Sequence, residues 1–173
     1  MARQSLKLAA GAIAVVLSIG MWNYISVHRP ATQSLSDDPR NQGLSVHVTY
    51  RWYVNPRVIV FDLRSVSPTN SAADVTRTLL QAASGLKTKE FESVVLAHRG
   101  TPKFMLNGSF FRKLGAEYGS QNPVYTLRTL PENVYTLDGR KAFSTWTGGL
   151  LGVTGRQMED LAEFHKQWFV SDL

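Results

Sequence analysis

The chain has 173 residues, no cysteine and a formal net charge of +6. The lack of cysteine excludes a disulfide framework, thiol catalysis and cysteine-ligated zinc or iron–sulfur sites. Three of the positive charges lie in the first thirty residues, so the remaining chain is only modestly basic, which argues against nucleic-acid binding. That remainder is long enough for one domain with its own core.

The N-terminal segment Leu8 to Val27 contains no charged residue and predicts a membrane-spanning helix. At about 1.5 Å per residue it would cover about 30 Å, the thickness of the hydrocarbon core of a bilayer. Trp22 and Tyr24 lie near its end, where aromatic rings favour the headgroup region. Arg3 and Lys7 precede it. The positive-inside rule therefore predicts a cytoplasmic N-terminus with the remainder across the membrane. Because an exported domain without disulfides suits a bacterial envelope, we predict a single-pass protein of the bacterial inner membrane with the remainder in the periplasm.

Two other interpretations of this segment remain open. The small residues of Ser18-Ile-Gly20 fit a secretory signal that is cleaved after Gly20, and a buried core helix would also be apolar. The uncleaved anchor is favoured because the apolar run continues past Gly20. A soluble core helix is disfavoured because it normally carries a polar face.

The polar segment from residue 28 to residue 43 predicts a linker. Pro30 and Pro39 interrupt regular structure there, and Asp37 and Asp38 add charge. This composition is typical of a flexible or semi-extended tether. The sequence thus predicts four parts: a cytoplasmic N-terminus over 1–7, a transmembrane anchor over 8–27, the linker over 28–43 and an exported domain over 44–173.

The first half of the exported domain predicts a β-hairpin followed by a helix. Leu44 to Val54 alternates apolar and polar residues with a period of two, which is typical of a strand with one buried face. Asn55-Pro56 predicts a turn, and Val58 to Leu63 predicts the second strand. Ser71 with Asp74 then forms a capping box that predicts the start of a helix.

The second half predicts two more strands, at Phe91 to His98 and Lys103 to Leu106, and a short helix after Asn107. Val124 to Leu130 and Val134 to Leu137 also read as short strands. A capping box at Thr154-x-x-Gln157 predicts the start of the last helix. The predicted inward face of that helix consists of Met158, Leu161, Ala162, His165, Trp168 and Phe169.

These elements predict an α+β fold. Short connections between neighbouring strands indicate an antiparallel sheet of about four to six strands. Two or three helices would gather on one face of the sheet, which gives a two-layer domain behind the N-terminal transmembrane helix.

A glycine-rich stretch from Thr147 to Arg156 precedes the predicted last helix. Backbone N–H groups at Gly149 and Gly152, with the charge of Arg156, could bind an anion at the helix N-terminus. The stretch matches neither a phosphate-binding P-loop nor a dinucleotide fingerprint. Tight turns and close packing are the favoured explanation of these glycines.

A basic and aromatic set is a second candidate site. It could form a surface for an acidic protein partner or an anionic polymer of the envelope. The alternative is a solvated surface on which the charges do not converge. The set comprises the basic residues Arg99, Lys103, Arg112, Lys113, Arg128, Arg140 and Lys141 and the aromatic residues Tyr118, Tyr125, Tyr135 and Trp146.

Catalytic signals are weak. Ser109 could act as a nucleophile with His98 as its base, although Ser109 is more simply a helix cap, and Arg128 is a further catalytic candidate. The four histidines show no metal-ligand spacing, so neither a metal nor a cofactor is predicted.

We therefore predict a non-catalytic accessory or binding protein of the bacterial cell envelope, with the lipid bilayer as the partner of Leu8 to Val27. Its exported domain would engage an envelope protein or an anionic polymer, as a toxin-immunity or inhibitor protein does. The alternative is an envelope hydrolase or transferase acting on a polymer. A weaker alternative is an anion sensor that uses the stretch from Gly148 to Arg156. The sequence leaves the oligomeric state open.

Overall fold

The N-terminal part of the chain is one unbroken helical stretch. A computed structural model describes residues 2–173, beginning with helix α1 (Ala2–Asn23), which continues through a π-helical turn (Tyr24–His28) into helix α2 (Arg29–Ser36). Between Lys7 and Ser36 this stretch is long and apolar enough to cross a membrane. The sequence-based prediction of an N-terminal apolar helix is therefore confirmed.

The predicted tether is wrong in its conformation. Residues 29–36 are helical, and α2 packs on the domain with Ala31 fully buried. The π-helical turn before it buries Val27 in the same core. Pro30 does not break the helix because it occupies the first turn of α2.

The sheet has five strands in the order β1-β2-β3-β4-β5, and it is mixed. Three of the four pairings are antiparallel, whereas β2 and β3 run parallel, so the prediction of an antiparallel sheet is wrong at this pair. A parallel pair needs a long crossover, and the helix that follows β2 supplies it. The strands are β1 (Leu44–Arg51), β2 (Asn55–Val66), β3 (Ser93–His98), β4 (Thr101–Asn107) and β5 (Val134–Tyr135).

The helices of the domain complete an α+β architecture, which confirms the predicted fold class. Helix α3 is the crossover between β2 and β3, and it begins at the predicted Ser71–Asp74 capping box. The helices are α3 (Ala72–Gly85), α4 (Gly108–Glu117), α5 (Pro123–Thr129) and α6 (Leu150–Trp168).

One face of the sheet forms the main core with the helices. Alternate strand residues such as Ile59, Phe61 and Leu96 are fully buried there, together with Leu79 from α3 and Trp168 from α6. The Trp168 indole donates a hydrogen bond to the Ala97 carbonyl at 3.2 Å, which ties α6 to β3. The helices thus form a layer over one face of the sheet, as predicted.

The first hairpin turns earlier than predicted. Arg51 pairs with Asn55, so Trp52, Tyr53 and Val54 form the turn and Pro56 lies within β2. Trp52 and Tyr53 have left-handed backbone angles, with φ of 54° and 64°. The predicted strand extended to Val54 because Trp52 and Val54 continue the apolar side of the alternating pattern, with Tyr53 on the opposite side.

Residues 124–129 of the predicted strand Val124 to Leu130 form a helix instead. The Asn122 side chain accepts a hydrogen bond from the Val124 N–H at 2.9 Å, and Pro123 follows at the first helical position. Asn at the N-cap and Pro next to it are a helix start signal, which outweighs the β-branched residues of this short segment.

Helix α6 begins before the predicted capping box. Its N-cap is Gly149, so Thr154 and Gln157 lie within the helix. The buried stripe is also rotated from the prediction, since Phe164 is fully buried whereas Met158 and Ala162 are exposed. Leu161, His165, Trp168 and Phe169 are buried as predicted.

Candidate functional site

The most apolar concave surface lies on the helical layer, between α3 and the helices α5 and α6. Two neighbouring hollows of about 480 Å³ and about 490 Å³ share Ala73 and Leu127 in their walls, so they meet to form one groove. We call this surface the helical groove. Each hollow has the volume of an ordinary ligand pocket, and most of the lining is apolar.

The groove has a distinct wall at each end. At the α4 end it is lined by Leu80, Leu114 and Tyr118, and at the α6 end by Met158 and Val170. Met158 has 46% of its surface exposed, although it belongs to an otherwise well-packed helix. Large apolar side chains that remain accessible in a concave surface are typical of protein-binding sites.

A buried histidine lies in the wall of the groove. His165 is 5% exposed, and its Nε2 atom lies 2.8 Å from the Thr76 hydroxyl of α3. Burial lowers the pKa of His165 to about 4, so the imidazole is neutral at neutral pH. The Thr76–His165 contact fixes the spacing of α3 and α6 beneath the apolar lining.

The rim of the groove carries exposed cations. Arg40 lies at the α4 end and Lys166 at the α6 end, with side chains that are 65% and 64% exposed. Arg40 is held in place by two hydrogen bonds to the Asp38 carboxylate, of 2.9 and 2.7 Å. These bonds, with a further one from Gln81, hold the pKa of Asp38 well below its usual range.

A somewhat larger hollow of about 580 Å³ lies between α2 and β1. Its lining includes short polar side chains such as Thr32, Ser36 and Asp38. Because binding at protein interfaces is concentrated at buried aromatic and aliphatic anchors, this polar hollow is a weaker candidate than the helical groove.

The three catalytic candidates do not meet. β3 pairs with β4 from Ser93–Asn107 at one end to His98–Thr101 at the other. Ser109 follows the first of these ends, so His98 lies roughly 17 Å away at about 3.4 Å per strand residue.

Arg128 and His98 each have structural contacts. The Arg128 guanidinium donates a hydrogen bond to the Thr154 hydroxyl of α6 at 2.9 Å. His98 is buried, and its Nδ1 atom lies 3.4 Å from the Asp172 carboxylate near the C-terminus. Lys103 binds the same carboxylate at 2.6 Å, and the two contacts lower the pKa of Asp172. His98 therefore anchors the C-terminal turn.

The predicted basic and aromatic set is dispersed, and its members have local partners. Arg112 pairs with Glu90, Lys113 with Glu117 and Arg140 with Asp138. The other contacts are Arg99 with the Asp172 carbonyl, Lys141 with the Glu132 carbonyl, Trp146 with Asp160, and Arg156 with Glu159 and the Trp146 ring. Exposed pairs of this kind neutralise charge locally, so the set does not form one basic surface.

The predicted glycine-rich loop is mostly helical. Gly152 and Arg156 lie inside α6, and only Gly148 and Gly149 precede it. Gly149 is the N-cap and Gly152 lies in the first turn, so their N–H groups are at the helix N-terminus, whereas Arg156 lies further along the helix. Among residues 2–173 no cluster of three or more metal-ligating side chains occurs.

Comparison with models of known protein families, with curated proteins and with solved structures finds no match for this chain.

The sequence analysis missed the helical groove because it predicted that Met158 and Ala162 face the core. The signal that could have located it is the width of the apolar stripe on α6, which includes Met158 and Ala162 as well as Leu161, Phe164 and Trp168. The sheet covers only part of so wide an apolar stripe, so the rest of the stripe on α6 stays accessible to a binding partner.

Proposed function

We propose that this protein is a non-catalytic binding protein of the bacterial cell envelope. A single N-terminal helix would hold it in the inner membrane, with the N-terminus in the cytoplasm and the α+β domain in the periplasm. The cations Arg3 and Lys7 before the apolar helix support this orientation. The long apolar helix itself supports the membrane attachment.

The observation that carries the binding role is the accessible apolar helical groove. An apolar segment of an envelope protein fits it, since Leu127 and Met158 offer anchor positions for aliphatic or aromatic side chains. Arg40 and Lys166 at the rim are already paired with Asp38 and Glu163, so the apolar lining carries the proposed binding. A toxin-immunity or inhibitor protein is one member of this class.

A charge placed in the groove tests the proposal. Met158→Lys puts an ammonium group into the apolar lining at a position that already contacts solvent, so the fold is retained. We expect detergent-solubilised membranes to yield a specific protein with the wild-type chain and a loss of that protein with the variant. Quantitative mass spectrometry of the affinity-purified material measures this recovery.

Val124→Lys is the matched control. Val124 is exposed on α5 but does not line the groove, so the same change of charge should leave the recovery unaltered. The proposal fails if recovery is independent of Met158, or if both variants lose the partner equally.

The orientation is tested separately by cysteine labelling, which the cysteine-free chain makes simple. Ser120→Cys in the domain should react with a membrane-impermeant maleimide on intact spheroplasts. Ser5→Cys before the apolar helix should react only after lysis. The reverse pattern would place the domain in the cytoplasm.

A further inference from the structure

The turn between β1 and β2 carries three exposed apolar residues that no part of the domain covers. Trp52, Tyr53 and Val54 are 72%, 48% and 58% exposed. Turns with two left-handed residues ordinarily use Asn and Gly, because large side chains disfavour that conformation. Neither turn geometry nor the core of the domain therefore explains these residues. We call them the hairpin tip.

The hairpin tip lies where the apolar helix joins the domain. The Asn23 side chain at the end of α1 donates a hydrogen bond to the Tyr53 carbonyl at 2.7 Å and accepts one from the Tyr50 N–H at 2.9 Å. The Trp22 ring lies 4.6 Å from the Tyr50 ring. The hairpin tip is thus held beside Trp22, the aromatic residue predicted to lie at the membrane interface.

The strands extend away from that point along the helix. His28, further along the helical stretch, accepts a hydrogen bond from the Val48 N–H through its Nδ1 atom at 3.3 Å. The helix and β1 thus run side by side in opposite directions, from the Asn23–Tyr50 contact to the Leu44 end of the strand. The hairpin end of the sheet consequently faces the side on which the apolar helix leaves the domain.

The length of the free helix brings this end of the domain to the bilayer. Asn23 is buried in contacts with the domain, so only the part up to Trp22 can be surrounded by lipid on all sides. Leu8 to Trp22 measures about 22 Å at about 1.5 Å per residue, which is shorter than the hydrocarbon core. No flexible linker separates helix from domain, since α1 continues into the packed helix α2.

The residues around the junction suit the headgroup region. Tyr24 and Ile25 remain exposed on the helix at the level of the hairpin tip. Beside the tip, the Arg51 guanidinium lies 4.6 Å from the centre of the Trp52 ring and can reach a lipid phosphate. Trp and Tyr favour this region because their rings are amphipathic.

We propose that the hairpin tip is a second membrane contact, which inserts Trp52, Tyr53 and Val54 into the headgroup region of the phospholipid bilayer that holds the apolar helix. This proposal rests on the proposed anchoring of α1. The two contacts, joined by Asn23, fix the tilt of the domain and direct the helical groove at a set angle to the membrane surface.

Labelling of single cysteines in the full chain tests the proposal. An environment-sensitive fluorophore is attached at Tyr53→Cys, Leu17→Cys or Val124→Cys, and each variant is reconstituted into vesicles of phosphatidylethanolamine and phosphatidylglycerol. Spin-labelled lipids carrying the quencher near the headgroup or deep in the chain report depth, and iodide reports exposure to water.

We expect the label at position 53 to be quenched several-fold more by the headgroup-proximal lipid than the label at position 124, and to be shielded from iodide. The label at position 17 should respond to the deep quencher. The hairpin proposal is overturned if position 53 responds like position 124 while position 17 lies in lipid. It is also overturned if the label at position 53 is shielded from iodide and from the spin-labelled lipids alike, because protein then covers it. A water-exposed label at position 17 would instead reject the anchoring itself.

Discussion

Asn23 links the apolar helix to the sheet through hydrogen bonds in both directions. Its amide donates to the Tyr53 carbonyl and accepts from the Tyr50 N–H, and the residue is only 2% exposed. From the sequence, a polar residue at the end of an apolar run is expected to lie at the membrane interface. The contact of Asn23 with a turn thirty residues later in the chain shows that it also joins the helix to the sheet.

Replacing Asn23 by Leu should destabilise the domain, because the buried Tyr50 N–H and the partly buried Tyr53 carbonyl lose their hydrogen-bond partner. Each unsatisfied buried group costs about 1–3 kcal/mol. Denaturant unfolding in mild detergent measures the loss. Gln33→Leu, on the exposed face of α2, is the control and should change the free energy of unfolding little. Equal stability of the Asn23→Leu variant would show that these bonds do not hold the hairpin.

His165 makes the stability of the domain depend on pH. Its pKa is lowered by burial to about 4, whereas an unfolded histidine has a pKa of about 6.5. The unfolded state therefore binds more protons between these values. The stabilisation is complete above about pH 6.5 and is lost as the pH falls towards 4.

We expect His165→Gln to reduce this loss of stability, because Gln can keep a hydrogen bond to Thr76 without titrating. One pKa unit corresponds to about 1.4 kcal/mol, so the difference between the two proteins on going from pH 7 to pH 4 is on the order of 3 kcal/mol. Unfolding curves measured at several pH values give this difference. Parallel pH profiles would mean that His165 is protonated without penalty in the folded protein.

At the scale of elements, the packing of α2 on α3 depends on one glycine. A Cβ atom built on Gly85 would lie 2.0 Å from the Pro30 carbonyl oxygen. The last turn of α3 and the first turn of α2 therefore approach backbone to backbone. This contact, together with buried Ala31, keeps the predicted tether against the domain.

Gly85→Ala should destabilise the protein, although alanine is the better helix former. In an open helical position the same change stabilises by up to about 1 kcal/mol. Gly155→Ala in α6 is such a position, because nothing lies within 4 Å of its added Cβ atom. Thermal unfolding should therefore give shifts of opposite sign for the two variants. Shifts of the same sign would show that α2 can move away without loss.

Local signals predicted some elements well and others poorly. The alternation of β1 and the Ser71–Asp74 capping box depend on residues close in sequence, and both correspond to the observed elements. The strand predicted at 124–130 was wrong because a short apolar segment does not distinguish the two periodicities. The parallel pairing of β2 and β3 depends on a crossover whose direction no local pattern specifies.

At the scale of the whole molecule, the apolar N-terminal helix and the domain are one continuous structure. The helical stretch passes from exposed apolar residues before Trp22 to fully buried Val27 and Ala31. A membrane protein with a flexible tether lets its domain sample many orientations. Here the packed helix gives the domain a fixed relation to the helix axis.

Two truncations should separate anchor from core. Deleting residues 1–19 removes most of the exposed apolar helix and should leave a folded domain. Deleting residues 1–38 also removes Asn23, Val27 and Ala31, and should give an unfolded or aggregated chain because fully buried side chains are lost. Circular dichroism and cooperative thermal unfolding distinguish the two outcomes. A stable domain after the longer deletion would show that the core does not need residues 28–38, as expected of a linker.

The helical groove could not be predicted from local sequence patterns. Its wall residues Ala73, Leu127 and Met158 come from three helices, and each one alone reads as an ordinary core position. Their accessibility is a consequence of how α3, α5 and α6 pack. The catalytic candidates illustrate the converse, since His98 and Ser109 are close in sequence but lie at opposite ends of a strand pair.

The sequence by itself determined the apolar N-terminal helix, the α+β class and the starts of β1 and of α3, because composition and short-range periodicity encode burial and local backbone preference. The tertiary structure alone decided that the helix continues into the core, that Trp52–Val54 form an exposed turn beside it, and that an open groove remains on the helical layer. These features arise from contacts between residues far apart in the chain, which no local pattern specifies.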